Sequence, residues 1–473
     1  MNGPIRRITY GLFAAFALLL LATTYVQAVA ADRYRSSSLN ARVLLREGGQ
    51  ERGTVVDRNG LVLATSVLEE GGRTFTRIYP TNDLFAHPLG YSAVLFGQTG
   101  LERSYSGELR SRQDLTVSDL LTALFGGDLR PHSIRLTIDA NLQEVAAQAL
   151  GSQHGAIAAV NPQTGEILAY VSSPSFDPNR VSDPAYAQQI EGDTSQPRLD
   201  RVSATTYPPA STFKLIVAAE ALEAGGYTAD SELDDPSALV LPGSQSLILN
   251  ASQGTCDGGG TVTLLVALAR SCNIQFAQLA MDLGTDAISG RAEAFGFNTE
   301  LDLELPVITS VFPGNLDPAT LAQSAIGERD VQASPLQMLN VVSAIANHGQ
   351  LMTPYFVDAV FDADKVTTRV TRPVILSSPI SALTAEILKA MMVQAVERGT
   401  AGRAVINGIT VAGKTGTSET GPHVWFVGFA PAEDPSIAIV VLIENGGDDG
   451  NSASGGRTAA PIAQRLIAEW LSP

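Results

Sequence analysis

The chain has 473 residues, 45% hydrophobic and 17% charged, a composition of folded globular material with room for two or three domains. Its formal charge of −17 repels phosphate backbones and excludes nucleic acid as a partner class. Five scattered histidines, with no phosphate loop or dinucleotide fingerprint, point to chemistry that uses no metal or other cofactor.

Arg6 and Arg7 precede an uncharged stretch, Ile8 to Ala31. At 1.5 Å per residue it spans roughly 36 Å, enough to cross a bilayer with some tilt. The positive flank predicts a cytoplasmic N-terminus with the rest exported. A cleaved signal peptide is the rival reading, with Gly11–Ala22 as its apolar core and Ala28-Val29-Ala30 as its small-residue site. Both readings export everything from Asp32 onward.

Residues 32–135 have a mixed character. Arg52 to Ala64 reads as strand, Asn59-Gly60 turn, strand, and Gly100 to Tyr105 is a second recognisable string. Neither holds a nucleophile with a base, so both read as structural. Gly126–Pro131 is a turn-rich seam, with a domain boundary near Ser133. Thr137-Ile138-Asp139 leads into a helix over Asn141–Leu150, and Gly155–Val160 and Glu166–Ser172 form a hairpin. Pro174–Tyr207 reads as a long polar surface excursion.

That excursion ends on Tyr207-Pro208-Pro209-Ala210-Ser211-Thr212-Phe213-Lys214. The prolines force an extended approach, and a helix follows from Thr212 to Leu222. Ser211 therefore stands at a helix start, with the Lys214 amine three residues on and unpaired N–H groups beside it. A nucleophile with a base and an oxyanion site needs such a place. Taken alone, S-x-x-K equally describes a capping serine and a solvated lysine.

Helices over Thr263–Arg270 and Ile274–Leu283 are joined by Ser271-Cys272-Asn273, a turn that would aim the serine and asparagine the same way. A helix stop followed by a cap is the plainer alternative. Cys256 and Cys272, the only cysteines, suit a disulfide in an oxidising compartment, or are two unrelated buried thiols. A bridge would fix the turn that holds Ser271 and Asn273. Further on, Ser334-Pro335 opens a helix that Gly349 ends, and Leu383–Val396 is another. A strand over Ile409–Gly413 runs into Lys414-Thr415-Gly416-Thr417, where a cation beside a glycine lets a ligand backbone approach the edge. Two strands, a flexible Gly446–Gly456 connection and a closing helix, Ala459–Leu471, complete the chain.

S-x-x-K, S-x-N and K-T-G in this order, at Ser211, Ser271 and Lys414, are the motifs of penicillin-binding proteins and serine β-lactamases. With Arg52–Ala64, Gly100–Tyr105, Thr137–Leu150, Gly155–Ser173, Ser334–Ile345 and His423–Pro431, the chain resembles class B penicillin-binding proteins from end to end, most of all the actinobacterial penicillin-binding protein A group. The resemblance implies an α+β fold. It would have a transmembrane anchor (1–31), a small non-catalytic pedestal or dimerisation-like domain (32–135), and a transpeptidase domain (136–473) with an antiparallel sheet flanked by helices. It implies a peptidoglycan D,D-transpeptidase on the outer side of a bacterial plasma membrane, cross-linking stem peptides through a serine acyl-enzyme and acylated by β-lactams. A separate glycosyltransferase would be its partner. Ser211 would be the nucleophile, Lys214 its base, and Ser271 a proton relay, with Asn273 orienting the substrate amide. Lys414, Thr415 and Thr417, beside Gly416, would hold the terminal carboxylate, and the N–H groups of Ser211 and Thr417 would form the oxyanion hole. Two positions depart from the family: Ala210 stands where glycine is common, and Glu328 where glutamine is usual.

Other readings of the same motifs are a D,D-carboxypeptidase or β-lactamase, in which water resolves the acyl-enzyme, a β-lactam sensor, and a division or elongation scaffold. A sensor usually needs more membrane segments or a cytoplasmic domain than the seven residues before Ile8 supply.

Overall fold

The computed structural model describes residues 2–30, 50–72, 74–110, 130–419 and 421–472. Most of the expected Gly126–Pro131 seam lies outside them. An N-terminal helix, α1 (Asn2–Thr24), carries the apolar stretch, and Gly3–Gln27 is long and apolar enough to cross a membrane and is packed against nothing among the described residues.

The strands that build the two main sheets begin with β1 (Val55–Val56), β2 (Val62–Leu68), β3 (Phe75–Ile78) and β4 (Ser133–Leu136). β5 (Gly155–Val160), β6 (Ile167–Ser173), β7 (Val357–Phe361) and β8 (Thr367–Val370) follow. The last are β9 (Ala412–Thr417), β10 (Val424–Ala430) and β11 (Ile437–Ile443). Among the helices, α2 spans Ala140–Leu150, α3 Lys214–Glu223, α4 Leu264–Ala269 and α5 Asn273–Leu283. Then come α6 (Pro335–Ala346), α7 (Ala382–Arg398) and α8 (Ala460–Trp470).

One sheet runs β8-β7-β4-β1-β2-β3, so residues 357–370 pair back onto the N-terminal part of the chain. The turn between β1 and β2 is closed by Asp57, whose carboxylate accepts the N–H groups of Asn59 and Leu61. Behind it, Glu102 is fully buried between Arg52 (2.8 Å) and Arg77 (2.6 Å). A carboxylate there would be intolerable without both cations. The Gly100–Tyr105 string is therefore structural.

The other sheet, β9-β10-β11-β5-β6, is antiparallel throughout. Its central strands are buried on both faces, so they read as continuous apolar runs instead of alternating ones. The pleat divides them between two cores. Ala158, Val427 and Val440 pack with α6, while Ile157, Phe426 and Val441 pack with α2 and α8. Ser334 caps α6 through the Gln337 N–H, with Pro335 at the first position, and all twelve helical residues are buried. β9 is left as an edge, and the site forms along it.

Two local expectations change. Pro174–Tyr207 is not irregular throughout: Pro184–Glu191 is a helix, capped by Asp183 and burying Tyr186, Ala187 and Ile190. The Gly446–Gly456 connection is not a loose linker. Gly455 lies so close to Gly416 and Trp425 that a Cβ would stand 2.2 Å from the Trp425 carbonyl oxygen.

Candidate active site

Ser211 lies in a single 3₁₀ turn, Ala210–Thr212, immediately before α3. The Tyr207 main chain pairs with Ala333, and the Trp425 indole N–H holds the Pro208 carbonyl at 3.0 Å. The Tyr207 hydroxyl donates to Glu444 at 2.5 Å, and Arg201 clamps the same carboxylate at 2.9 Å. Sequence reading passes over this Tyr207–Glu444–Arg201 brace because Glu444 lies more than two hundred residues from the other two. Ala210 adopts φ 49°, a left-handed conformation, which gives the physical reason for glycine being common there. Its N–H donates to Gly327 at 2.9 Å, whereas the Ser211 N–H donates to no other group among the described residues.

α3 begins at Lys214, whose fully buried side chain reaches the S-x-N turn. Lys214 Nζ donates to the Ser271 carbonyl (2.8 Å) and to Asn273 Oδ1 (2.7 Å), with Ser271 Oγ at 3.4 Å. Ser271 turns the chain at φ 62°, and Asn273 opens α5. Asn250 braces that turn: its Oδ1 accepts the N–H groups of Asn273 and Ile274. Cys272 is joined to Cys256, with Cα atoms 5.7 Å apart, and Asp235 accepts the Cys256 N–H at 2.6 Å. The connection opposite the nucleophile is thus tied at both ends.

Lys414 Nζ, also fully buried, donates to Ser271 Oγ at 2.8 Å and to the Thr415 carbonyl at 2.9 Å. Ser271 Oγ therefore bridges the two lysines. Burial and the neighbouring Lys414 charge hold the Lys214 amine well below the ordinary lysine value. Burial alone lowers Lys414 to about 7. A neutral Lys214 has two N–H bonds, matched by its two short acceptors, and its lone pair stays available.

The edge of β9 follows from the hydrogen-bond alternation of an antiparallel pair. Ser418 donates to His423 across the ladder, so Thr415, Thr417 and Glu419, at alternate positions, turn their N–H groups to the open side. The Glu419 N–H is taken by Glu328 Oε1 at 3.0 Å. A Cβ on Gly416 would be crowded, 3.1 Å from the Pro209 carbonyl oxygen. Thr415 Oγ1 hydrogen-bonds Thr400 Oγ1 at 2.6 Å, and Thr417 Oγ1 accepts the Gly455 N–H at 3.1 Å.

These residues converge on a cleft of about 1000 Å³ lined by Ser211, Ser271, Asn273, Thr415, Gly416 and Thr417, with the two lysines under its floor. Glu328, singled out in the sequence only as a departure, also lines it. The arrangement offers a serine hydroxyl, a buried amine of lowered basicity, a hydroxyl relay and unpaired N–H groups, the parts of an acyl-transfer centre.

Residues 155–468 match the model of the penicillin binding protein transpeptidase domain, and residues 52–134 match the penicillin binding protein A dimerisation domain. The chain is 37% identical to a peptidoglycan D,D-transpeptidase PbpA of Mycolicibacterium smegmatis, covering 100% of this chain and 99% of the relative. It is 36% identical to the protein of that name from Mycobacterium tuberculosis, over 99% and 98%. Among solved structures, penicillin-binding protein A from M. tuberculosis in its ceftriaxone acyl-enzyme complex superposes with a TM-score of 0.84 at 34% identity, over 90% of this chain and 100% of that one. Its penicillin G acyl-enzyme gives 0.82 at 34%, over 89% and 100%.

Proposed function

The chain belongs to the penicillin-binding protein transpeptidase family, and on that premise we propose that it is a membrane-anchored peptidoglycan D,D-transpeptidase whose nucleophile is Ser211. The observation that carries this reading is the position of Ser271 Oγ between the Lys214 and Lys414 amines, on the wall of the cleft that Ser211 lines.

Ser211 Oγ attacks the carbonyl between the two D-alanines of a stem peptide, and neutral Lys214 takes its proton. The oxyanion is held by the N–H groups of Ser211 and Thr417, neither of which meets an acceptor among the described residues. The terminal carboxylate lies against Lys414, Thr415 and Thr417 beside Gly416, and Asn273 orients the substrate amide. The proton on Lys214 passes through Ser271 Oγ to the departing D-alanine nitrogen. The amine of a second stem then attacks the acyl-enzyme, and Ser211 regains its proton. β-Lactams acylate the same oxygen.

The domain plan that accompanies this reading is an anchor to residue 31, a non-catalytic unit over 32–135, and the transpeptidase unit over 136–473. Helix α1 would hold the N-terminus in the cytoplasm and the cleft outside, where an oxidised Cys256–Cys272 pair is stable. A separate glycosyltransferase would supply the glycan strands. The test is product analysis with a D-Ala-D-Ala stem donor and an amine-bearing acceptor. Cross-linked dimer supports the transpeptidase. Free D-alanine without dimer, or rapid penicillin turnover, makes the protein a carboxypeptidase or a β-lactamase on the same scaffold.

A further inference from the structure

Glu328 has a carboxyl group that the proposed reaction leaves unused. The residue is 8% exposed and follows Gly327, whose carbonyl receives the Ala210 N–H beside the nucleophile. Its Oε1 accepts the Glu419 N–H at 3.0 Å, Oε2 has no hydrogen-bond partner among the described residues, and the residue lines the cleft. The Thr417 N–H, at the end of β9, serves the oxyanion, and the Glu419 N–H, two residues past the strand end, is the next one presented on that side, about 7 Å further at an extended rise. Glu328 therefore caps the cleft one strand repeat beyond the reacting carbonyl.

On the transpeptidase reading, the direction of the donor follows. Its terminal carboxylate lies at Lys414 and Thr415 and its reacting carbonyl at Thr417, so the part that stays on Ser211 runs on towards Glu419. The residue immediately before D-Ala-D-Ala comes abreast of Glu328. Lys214 is turned to Ser271 and Asn273, and Arg329 is turned to Gln323 at 2.5 Å, so neither cation pairs with this carboxylate. Burial and the charge of nearby Glu419 push the Glu328 carboxyl up to about 7, a penalty that an arriving cation would offset.

We infer that Glu328, backed by Glu419, forms a subsite for an ammonium group on the donor residue immediately preceding D-Ala-D-Ala. The enzyme then selects donors whose diamino residue is unsubstituted, and stems already linked through that amine are poor donors. Glutamine, usual at this position in the family, would keep the hydrogen bond to the Glu419 N–H but bring no charge.

This inference rests on the transpeptidase reading, and the test separates the two. The full chain is given two depsipeptide donors, Nα-acetyl-L-lysyl-D-alanyl-D-lactate and its Nε-acetylated counterpart, and kcat/KM is read from D-lactate release. Wild type is expected to prefer the free ammonium at least tenfold. Glu328→Gln should bring the ratio within twofold of unity, and Glu419→Gln, at an exposed residue, should lower it part of the way. A wild type acylated by benzylpenicillin that consumes both donors equally, or neither, overturns the inference alone, as does a Glu328→Gln protein that keeps the full preference. A wild type that neither turns over a donor nor forms a penicillin adduct overturns the transpeptidase reading with it.

Discussion

Replacing Gly327 by alanine should damage the nucleophile without touching it. Gly327 has φ 80°, and a Cβ built there would stand 1.9 Å from the Ala210 carbonyl oxygen and 2.7 Å from the Ala210 nitrogen. The left-handed conformation costs an alanine about 1–2 kcal/mol, and main-chain displacement to relieve the overlap about 1–3 more, for a total of roughly 2–5 kcal/mol. The displaced atoms carry Ser211, and a shift of about 1 Å in a reacting group can cost on the order of a hundredfold in rate. The assay is the second-order rate of acylation by benzylpenicillin, with urea unfolding of the same protein. Gly290→Ala is the control, because a Cβ there meets nothing within 4 Å and the site is helical, so it should be neutral or slightly stabilising. A Gly327→Ala protein that acylates within threefold of wild type and unfolds at the same urea concentration would refute the argument.

Lys414 loses its proton as pH rises through about 7, so capture of a donor or β-lactam carboxylate weakens above that value. Burial and the Lys414 charge hold the Lys214 amine well below the usual lysine value. The acylation kcat/KM measured from pH 5 to 9 should therefore fall on the alkaline side, and a flat profile to pH 9 would contradict the assignment. Removing the disulfide with Cys256→Ser should cost about 3 kcal/mol on the chain-entropy model and slow acylation, because the bridge ties the Ser271–Asn273 turn. Tyr207→Phe removes the hydroxyl that donates to Glu444 Oε1 beside Arg201 and should cost about 1.5–3 kcal/mol in urea unfolding, with a slower acylation rate.

The elements that carried strong local signals were legible in the sequence. Asp139 and Ser334 announced the starts of α2 and α6, and apolar runs marked β5, β10 and β11 as strands, which the fold buries on both faces. The helix at Pro184–Glu191 was missed although Asp183-Pro184 is a capping signal, because polar neighbours diluted its apolar spacing. The pairing of β7 with β4 joins residues more than two hundred apart, and no local pattern encodes it. At the site, the three motifs located Ser211, Ser271 and Lys414, but their partners are tertiary. Lys214 reads as a neighbour of Ser211, yet its short hydrogen bonds go to the S-x-N turn. Asn250, Glu444 and Glu328 act through side chains brought in from elsewhere in the fold, and only Glu328 left a trace in the sequence, as a charge where an amide is usual.

The central claim, that Ser211 is an acylated nucleophile resolved slowly in the absence of an amine, is tested most directly by intact mass. The wild-type protein and Ser211→Ala are each incubated with benzylpenicillin. The account predicts one stable adduct on wild type, of the mass of the intact drug, and none on the variant. No adduct on a folded wild-type protein, or an equal adduct on Ser211→Ala, would contradict it.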